Sequence, residues 1–196
     1  RKTIGLLFFN PSLRTRLSAQ KAAKNLGLDV MVMNFSNEAW AIEYENETIM
    51  SGLRSEHVKE AAQVVSQYCD FIAIRAFASL TDQKRDEEEV VLRKFAAFAS
   101  VPIINMESAT AHPLQALADG LTIDEQLTIK QPKIVLSWAP HPKALPHAVA
   151  NSFIGLMNHT KADFVITHPE GYDLNPAIVG NHKVEYNQEK ALEGAD

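Results

Sequence analysis

The chain has 196 residues, enough for one large domain or two small ones with a real core. Its net charge of -5 and pI near 5.8 argue against a nucleic-acid partner, and no basic run is interleaved with aromatics. No apolar stretch approaches the ~20 residues that cross a bilayer, so no membrane partner is expected either.

The first apolar run, Ile4-Gly5-Leu6-Leu7-Phe8-Phe9, reads as a buried strand. Asn10-Pro11 breaks it, Ser12 is a good N-cap, and residues 13–26 have helical periodicity closed by Gly27. That helix opens on Arg14, Thr15 and Arg16. Free N–H groups and the positive end of the helix dipole favour an anion there, whereas early arginines oppose the dipole. A bound phosphate would resolve the conflict, because an arginine fork matches phosphate oxygens. A basic surface turn with a good cap is the alternative.

Residues 29–34 read as a second strand, and residues 35–52 as a long polar loop carrying Trp40. A helix is expected over 55–68 with Ser55 as its cap. Cys69 follows at a helix–strand junction and reads as a small core residue; as the sole cysteine it allows no internal disulfide, and a reducing cytoplasm is the expected location. Residues 71–77 form a third strand carrying Arg75, residues 86–99 a charged helix, and residues 101–107 a fourth strand ending in Glu107. A Ser/Thr-rich turn leads to His112-Pro113-Leu114-Gln115 at the head of a helix that runs to about residue 128. Residues 130–133 read as a linker and domain boundary. Strands at 134–138 and 164–167, a helix at 145–159 and a loop-like block at 170–187 follow. The chain starts at Arg1 with no initiator Met or signal peptide, and its last residues, 188–196, look like a helix that should feed another strand; it reads as a piece of a longer chain.

The alternation predicts parallel α/β sheets with helices on both faces. In such sheets ligands sit at the carboxyl ends of strands. Ser12 to Arg16, Arg75, Glu107, His112 and His141 all fall at predicted strand ends, so charge is aimed at one rim. His112 and Gln115 lie three apart and share a helix face, offering an imidazole and an amide. Taken alone, His112 before a proline also suits a helix cap. No Gly-x-Ser-x-Gly elbow, zinc-ligand spacing or Gly-rich phosphate loop is present.

Ser12-Leu13-Arg14-Thr15-Arg16 resembles the Ser-Thr-Arg-Thr-Arg signature of the carbamoyltransferases, and His112-Pro113-Leu114-Gln115 resembles their His-Pro-x-Gln. By this resemblance, which covers essentially the whole chain, it is identified as a member of the aspartate/ornithine carbamoyltransferase superfamily. Leu13 departs from the usual threonine. That departure, with Ala39-Trp40, Trp138-Ala139-Pro140-His141-Pro142 and His168-Pro169-Glu170-Gly171-Tyr172, is similar to the branch that uses N-acylated ornithine, most of all N-succinylornithine.

The resemblance implies two domains, each a parallel sheet flanked by helices. Residues 1–129 would bind carbamoyl phosphate, and residues 130–196 would be an incomplete acylornithine-binding domain. It implies that Ser12, Leu13 through its backbone, Arg14 and Thr15 hold the phosphate. Arg75, His112 and Gln115 would hold the carbamoyl group and act catalytically. Trp40 would reach the carbamoyl phosphate of a neighbouring subunit in a homotrimer. Glu107, His141, Asn151 and Ser55 would meet the acylated ornithine. No metal or other cofactor is implied. Ser55 sits where acetylornithine enzymes have Glu and succinylornithine enzymes have Pro; uncharged, it would not repel a succinyl carboxylate. An N-acetylornithine carbamoyltransferase and a non-catalytic phosphate-binding module are the alternatives. The family's His-Cys-Leu-Pro loop is absent from this stretch.

Overall fold

The structure is a computed structural model describing residues 1–36, 41–45, 54–138, 141 and 145–196. It divides into two compact units, Arg1–Ala109 and Thr110–Asp196. The first contains β1 (Thr3–Phe8), α1 (Leu13–Asn25), β2 (Asp29–Asn34), β3 (Ala41–Glu43), β4 (Arg54–His57), α2 (Val58–Tyr68), β5 (Phe71–Arg75), α3 (Gln83–Glu87), α4 (Val90–Phe98) and β6 (Ile103–Glu107). The second contains α5 (Pro113–Gln126), β7 (Lys133–Ser137), α6 (Ala148–Met157), β8 (Asp163–Thr167), α7 (Pro176–Val179), β9 (Lys183–Val184) and α8 (Gln188–Leu192).

In the first unit a parallel sheet runs β2-β1-β5-β6. Side chains alternate along β1, and the sequence is apolar on both faces because both are covered. Leu7 joins Ile72, Ile74, the α2 residues Val58, Ala61, Ala62 and Val65, and Phe95 of α4. Ile4, Leu6 and Phe8 point the other way, onto Ala23 of α1 with Ala73 and Met106. Gly5 also serves packing, since a Cβ there would stand 2.8 Å from the Cys69 sulfur. Cys69 is therefore the core residue that the sequence suggested; burial and the neighbouring Asp70 push its thiol pKa up.

Three expectations for this unit are corrected. Residues 41–43, expected in a loop, form β3 and pair in parallel with β4. Residues 54–57 are strand rather than the start of a helix, so Ser55 is not a cap. His57 is the N-cap of α2, its Nδ1 accepting the Lys59 N–H at 3.1 Å. The cause is Glu43, whose buried carboxylate accepts Arg54 Nη1 at 2.8 and 2.9 Å and the N–H groups of Tyr44 and Glu45. The Glu45 N–H, the Arg54 guanidinium and the Tyr44 N–H hold its pKa below the ordinary carboxylate value. This clamp fixes the chain at Arg54 in extended form. Finally, the helix expected over 86–99 is two, α3 and α4, separated at Glu89, whose φ of 48° is left-handed.

In the second unit a parallel sheet runs β7-β8-β9. Ile134, Ile154, Phe164 and Ile166 form its core, joined by Ile123 and Leu127 from the α5 end. Helices α5 and α6 approach closely at Gly120, where a Cβ would lie 3.3 Å from Leu156. This contact draws α5 into the second unit, so packing divides the chain before α5 rather than at the expected residues 130–133. The block 170–187 holds α7 and the short β9. Asn175 caps α7, accepting the Ala177 N–H at 2.9 Å. Among the described residues no helix is long and apolar enough to cross a membrane.

Gly5→Ala forces a methyl group against the Cys69 sulfur and should destabilise the first unit by about 1–3 kcal/mol. Urea melts will check this: adding Cys69→Ala should recover most of the loss, and simple addition of two losses would contradict the packing argument.

Candidate active site

The sheet order places a ligand crevice before any residue is considered. From β1 the chain goes to β2 on one side, then returns to β5 on the other. The crevice at such a reversal opens beyond the carboxyl ends of the two diverging strands. Here those ends lead into residues 9–16 and 75–77.

Beyond β1, Ser12 is the N-cap of α1, in extended conformation, and its Oγ accepts the Thr15 N–H at 3.3 Å. The opening turns carry no acid. Leu13 is 73% exposed, so its side chain anchors nothing and its backbone is what it offers at the helix start. Arg14 is exposed, with no acidic partner among the described residues. A helix N-terminus with uncompensated positive charge favours an anion.

At the end of β5, Arg75 is 9% exposed and braced on three sides. Its Nε donates to Glu107 Oε2 at 2.8 Å, and its Nη1 donates to the carbonyls of Asn10 and Pro11 at 3.3 Å. The guanidinium also stands 5.4 Å from the Phe77 ring centre. The Asn10 side chain accepts the Phe77 N–H at 2.6 Å, and the Phe9 N–H donates to the Arg75 carbonyl at 2.9 Å. The turn after β1 and the end of β5 are thus cross-linked in both directions.

Two features here escaped sequence reasoning. Asn10, read only as a strand breaker, is a brace. Glu107, read only as a substrate contact, is the buried ion-pair partner of Arg75. The register that aligns Arg75 with Glu107 includes an irregularity after Ile74, which no periodicity announces. Ser55 sits in a similar irregularity: Ala41 pairs with Arg54 and Ile42 with Glu56, leaving Ser55 exposed as the extra residue of a bulge. Bulges often re-aim a side chain beside a functional site.

In the second unit His112 occupies the N-cap of α5 ahead of Pro113, but its ring makes no capping bond. The imidazole is therefore not committed to the helix end. Gln115, one turn on, donates from Nε2 to Asp119 Oδ1 at 2.8 Å. The Asn151 amide donates to the Thr110 carbonyl at 3.1 Å, while its Oδ1 is buried with no hydrogen-bond partner among the described residues. Ser152 Oγ accepts the His112 N–H at 2.8 Å. His141 follows β7 and is exposed. His168, from the motif at 168–172, is buried, with Nδ1 2.9 Å from the Pro169 carbonyl and its ring edge-on to Tyr186. Trp40, Ala39, Ala139, Pro140 and Pro142 lie outside the described residues. The first unit brings Ser12, Arg14, Thr15, Arg75 and Glu107 to one strand crossover; the second gathers His112, Gln115 and Asn151 where α5 starts beside α6.

Residues 1–125 match the family described as aspartate/ornithine carbamoyltransferase, carbamoyl-P binding domain. The chain is 53% identical over 195 residues to N-succinylornithine carbamoyltransferase of Bacteroides thetaiotaomicron, covering 100% of this chain and 61% of that protein. It is 41% identical over 210 residues to N-acetylornithine carbamoyltransferase of Xanthomonas campestris pv. campestris, covering 100% of this chain and 62% of that one. Among solved structures it resembles a glutamate-to-serine mutant of N-acetyl-L-ornithine transcarbamylase complexed with carbamyl phosphate and N-succinyl-L-norvaline. The TM-score is 0.92 at 38% identity, over 100% of this chain and 63% of that one. The chain thus spans about three fifths of the length of these relatives. With the parallel sheets, the strand crossover and the capped helix that bears Arg14 and Thr15, the match is decisive: the chain belongs to the aspartate/ornithine carbamoyltransferase family.

Proposed function

We propose that this protein transfers the carbamoyl group of carbamoyl phosphate to the δ-amine of N-succinyl-L-ornithine, giving N-succinyl-L-citrulline and phosphate, as a cytoplasmic step of arginine biosynthesis. The observation that carries the reading is Arg75, buried and braced by Glu107, Asn10 and Pro11 beside the Ser12-capped helix. A guanidinium held this way is preorganised for developing negative charge.

In the proposed reaction the neutral δ-amine attacks the carbamoyl carbon, the bond from that carbon to the phosphate oxygen breaks, and the amine proton is lost as phosphate departs. Ser12, the Leu13 backbone, Arg14 and Thr15 receive the phosphate. Arg75, Thr15 and His112 polarise the carbonyl oxygen, and Gln115 takes the carbamoyl amide; reaching it requires Gln115 to leave Asp119. Glu107, His141, Asn151 and Ser55 are assigned to the acylated ornithine, with the buried Asn151 Oδ1 as an acceptor for an N–H. Glu107 has a second duty, orienting Arg75. By function, residues 1–129 form the carbamoyl phosphate domain and residues 130–196 belong to the acylornithine domain. The span of the family match to residue 125 supports that division, although packing groups α5 with the second unit. A homotrimer in which Trp40 serves the neighbouring subunit completes the reading.

Higher identity to the succinylornithine relatives than to the acetylornithine ones supports a succinyl substrate. So does Ser55, since a serine mutant of the acetylornithine enzyme has been crystallised with N-succinyl-L-norvaline.

Removing Arg75 outright would strand a buried carboxylate at Glu107, so the informative variant is Arg75→Lys, which keeps charge and loses the fork. Losing a donor of this kind costs about 10²–10³ in kcat. In the full-length protein, steady-state assays should show that loss with a melting temperature near the parent's; turnover equal to the parent's would refute the role of Arg75.

The acyl preference is checked by product formation from N-succinyl- and N-acetyl-L-ornithine. The parent should favour the succinyl substrate, and Ser55→Glu should reverse the preference by like-charge repulsion of about 1–4 kcal/mol. A parent that prefers the acetyl substrate would overturn the assignment.

A further inference from the structure

Helix α6 grips the segment ahead of α5 at two points with opposite polarity. Asn151 Nδ2 donates to the Thr110 carbonyl at 3.1 Å, and Ser152 Oγ accepts the His112 N–H at 2.8 Å. The two gripping residues are adjacent in α6, and the gripped groups are two residues apart in the chain. Two such bonds fix a backbone segment against both sliding and rotation.

The consequence falls on His112. Its ring makes no capping bond to α5, so the helix end does not orient the imidazole. The backbone from which the ring projects is held from α6 through Ser152. We infer that Ser152 is a positioning residue for His112, setting where the imidazole stands when the carbamoyl oxygen becomes negative. This rests on the proposed function, which gives His112 that task. It also gives a reason for the polar pair Asn151-Ser152 within a largely apolar helix, where alanine or leucine would be the better helix former.

A misplaced catalytic group loses rate while ground-state binding survives. Ser152 touches neither substrate in this reading, so its loss separates kcat from KM. In the full-length protein, Ser152→Ala should lower kcat about tenfold, with KM for carbamoyl phosphate within about twofold of the parent value. Ser152→Thr keeps the acceptor oxygen and should regain most of the rate. Thermal melts accompany both variants. If Ser152→Ala melts well below the parent, Ser152→Cys, a weaker acceptor of similar size, replaces it and must show the same split.

An active parent whose Ser152→Ala variant matches it in kcat overturns this inference and leaves the proposed function standing. Equal losses in Ser152→Ala and Ser152→Thr also overturn it, since the hydroxyl would not be what matters. A full-length parent without carbamoyl transfer overturns the proposed function and this inference together.

Discussion

The ion pair between Arg75 and Glu107 is the constraint on which the first unit's chemistry depends. Two charges taken out of water cost several kcal/mol each, and their attraction offsets that only when geometry is good and the remaining donors are satisfied. The first holds, and the second holds at Nη1. The Nε···Oε2 distance is 2.8 Å, and Nη1 meets two backbone carbonyls. The pair is weak evidence for stability as such, because well-packed apolar residues would do as well. Its value is directional: a guanidinium with one edge committed to Glu107 and one nitrogen to the Asn10-Pro11 turn cannot swing to follow solvent. Under the proposed function, that fixity would reduce the solvent reorganisation that accompanies charge development.

The same turn carries a second constraint. Ser12 satisfies the Thr15 N–H, while the dipole of α1 and the exposed Arg14 leave positive potential beyond it. An isolated helix would gain from an acid in this turn, and none is present. The sequence accepts a local electrostatic cost that a bound anion would offset. Arg75 is rigid and buried; Arg14 is exposed and adaptable.

Most of the fold was legible because its strands are short apolar runs bounded by turn residues, and its parallel pairing follows from strand–helix alternation. The readings that failed turned on side-chain contacts that hydrophobic periodicity does not encode. Arg54 lies extended because Glu43, eleven residues earlier, holds it, so the helix starts at Val58 and not at Ser55. The helix at 86–99 breaks because Asp86 bonds back to the N–H groups of Ser79 and Leu80 while Glu89 adopts a left-handed conformation. Packing also groups helix α5 with the second unit, where Gly120 admits Leu156, a contact that no local pattern announces. In the candidate site, residue types were legible and partnerships were not. Arg75 and Glu107 were both singled out, yet 32 residues separate them, and their alignment passes through a sheet irregularity that local pattern does not encode.

The bulge at Ser55 illustrates how local backbone and specificity are joined. In a regular parallel pair every residue has a partner across the ladder, and a side chain's direction follows from the alternation. With Ala41 opposite Arg54 and Ile42 opposite Glu56, Ser55 lies outside that alternation. A residue so placed is free to change identity without disturbing the core, since it is exposed and pairs with nothing across the strand. Under the proposed function, an acidic side chain at this position would therefore disfavour an acidic acyl group by charge, with no change to the strand pairing.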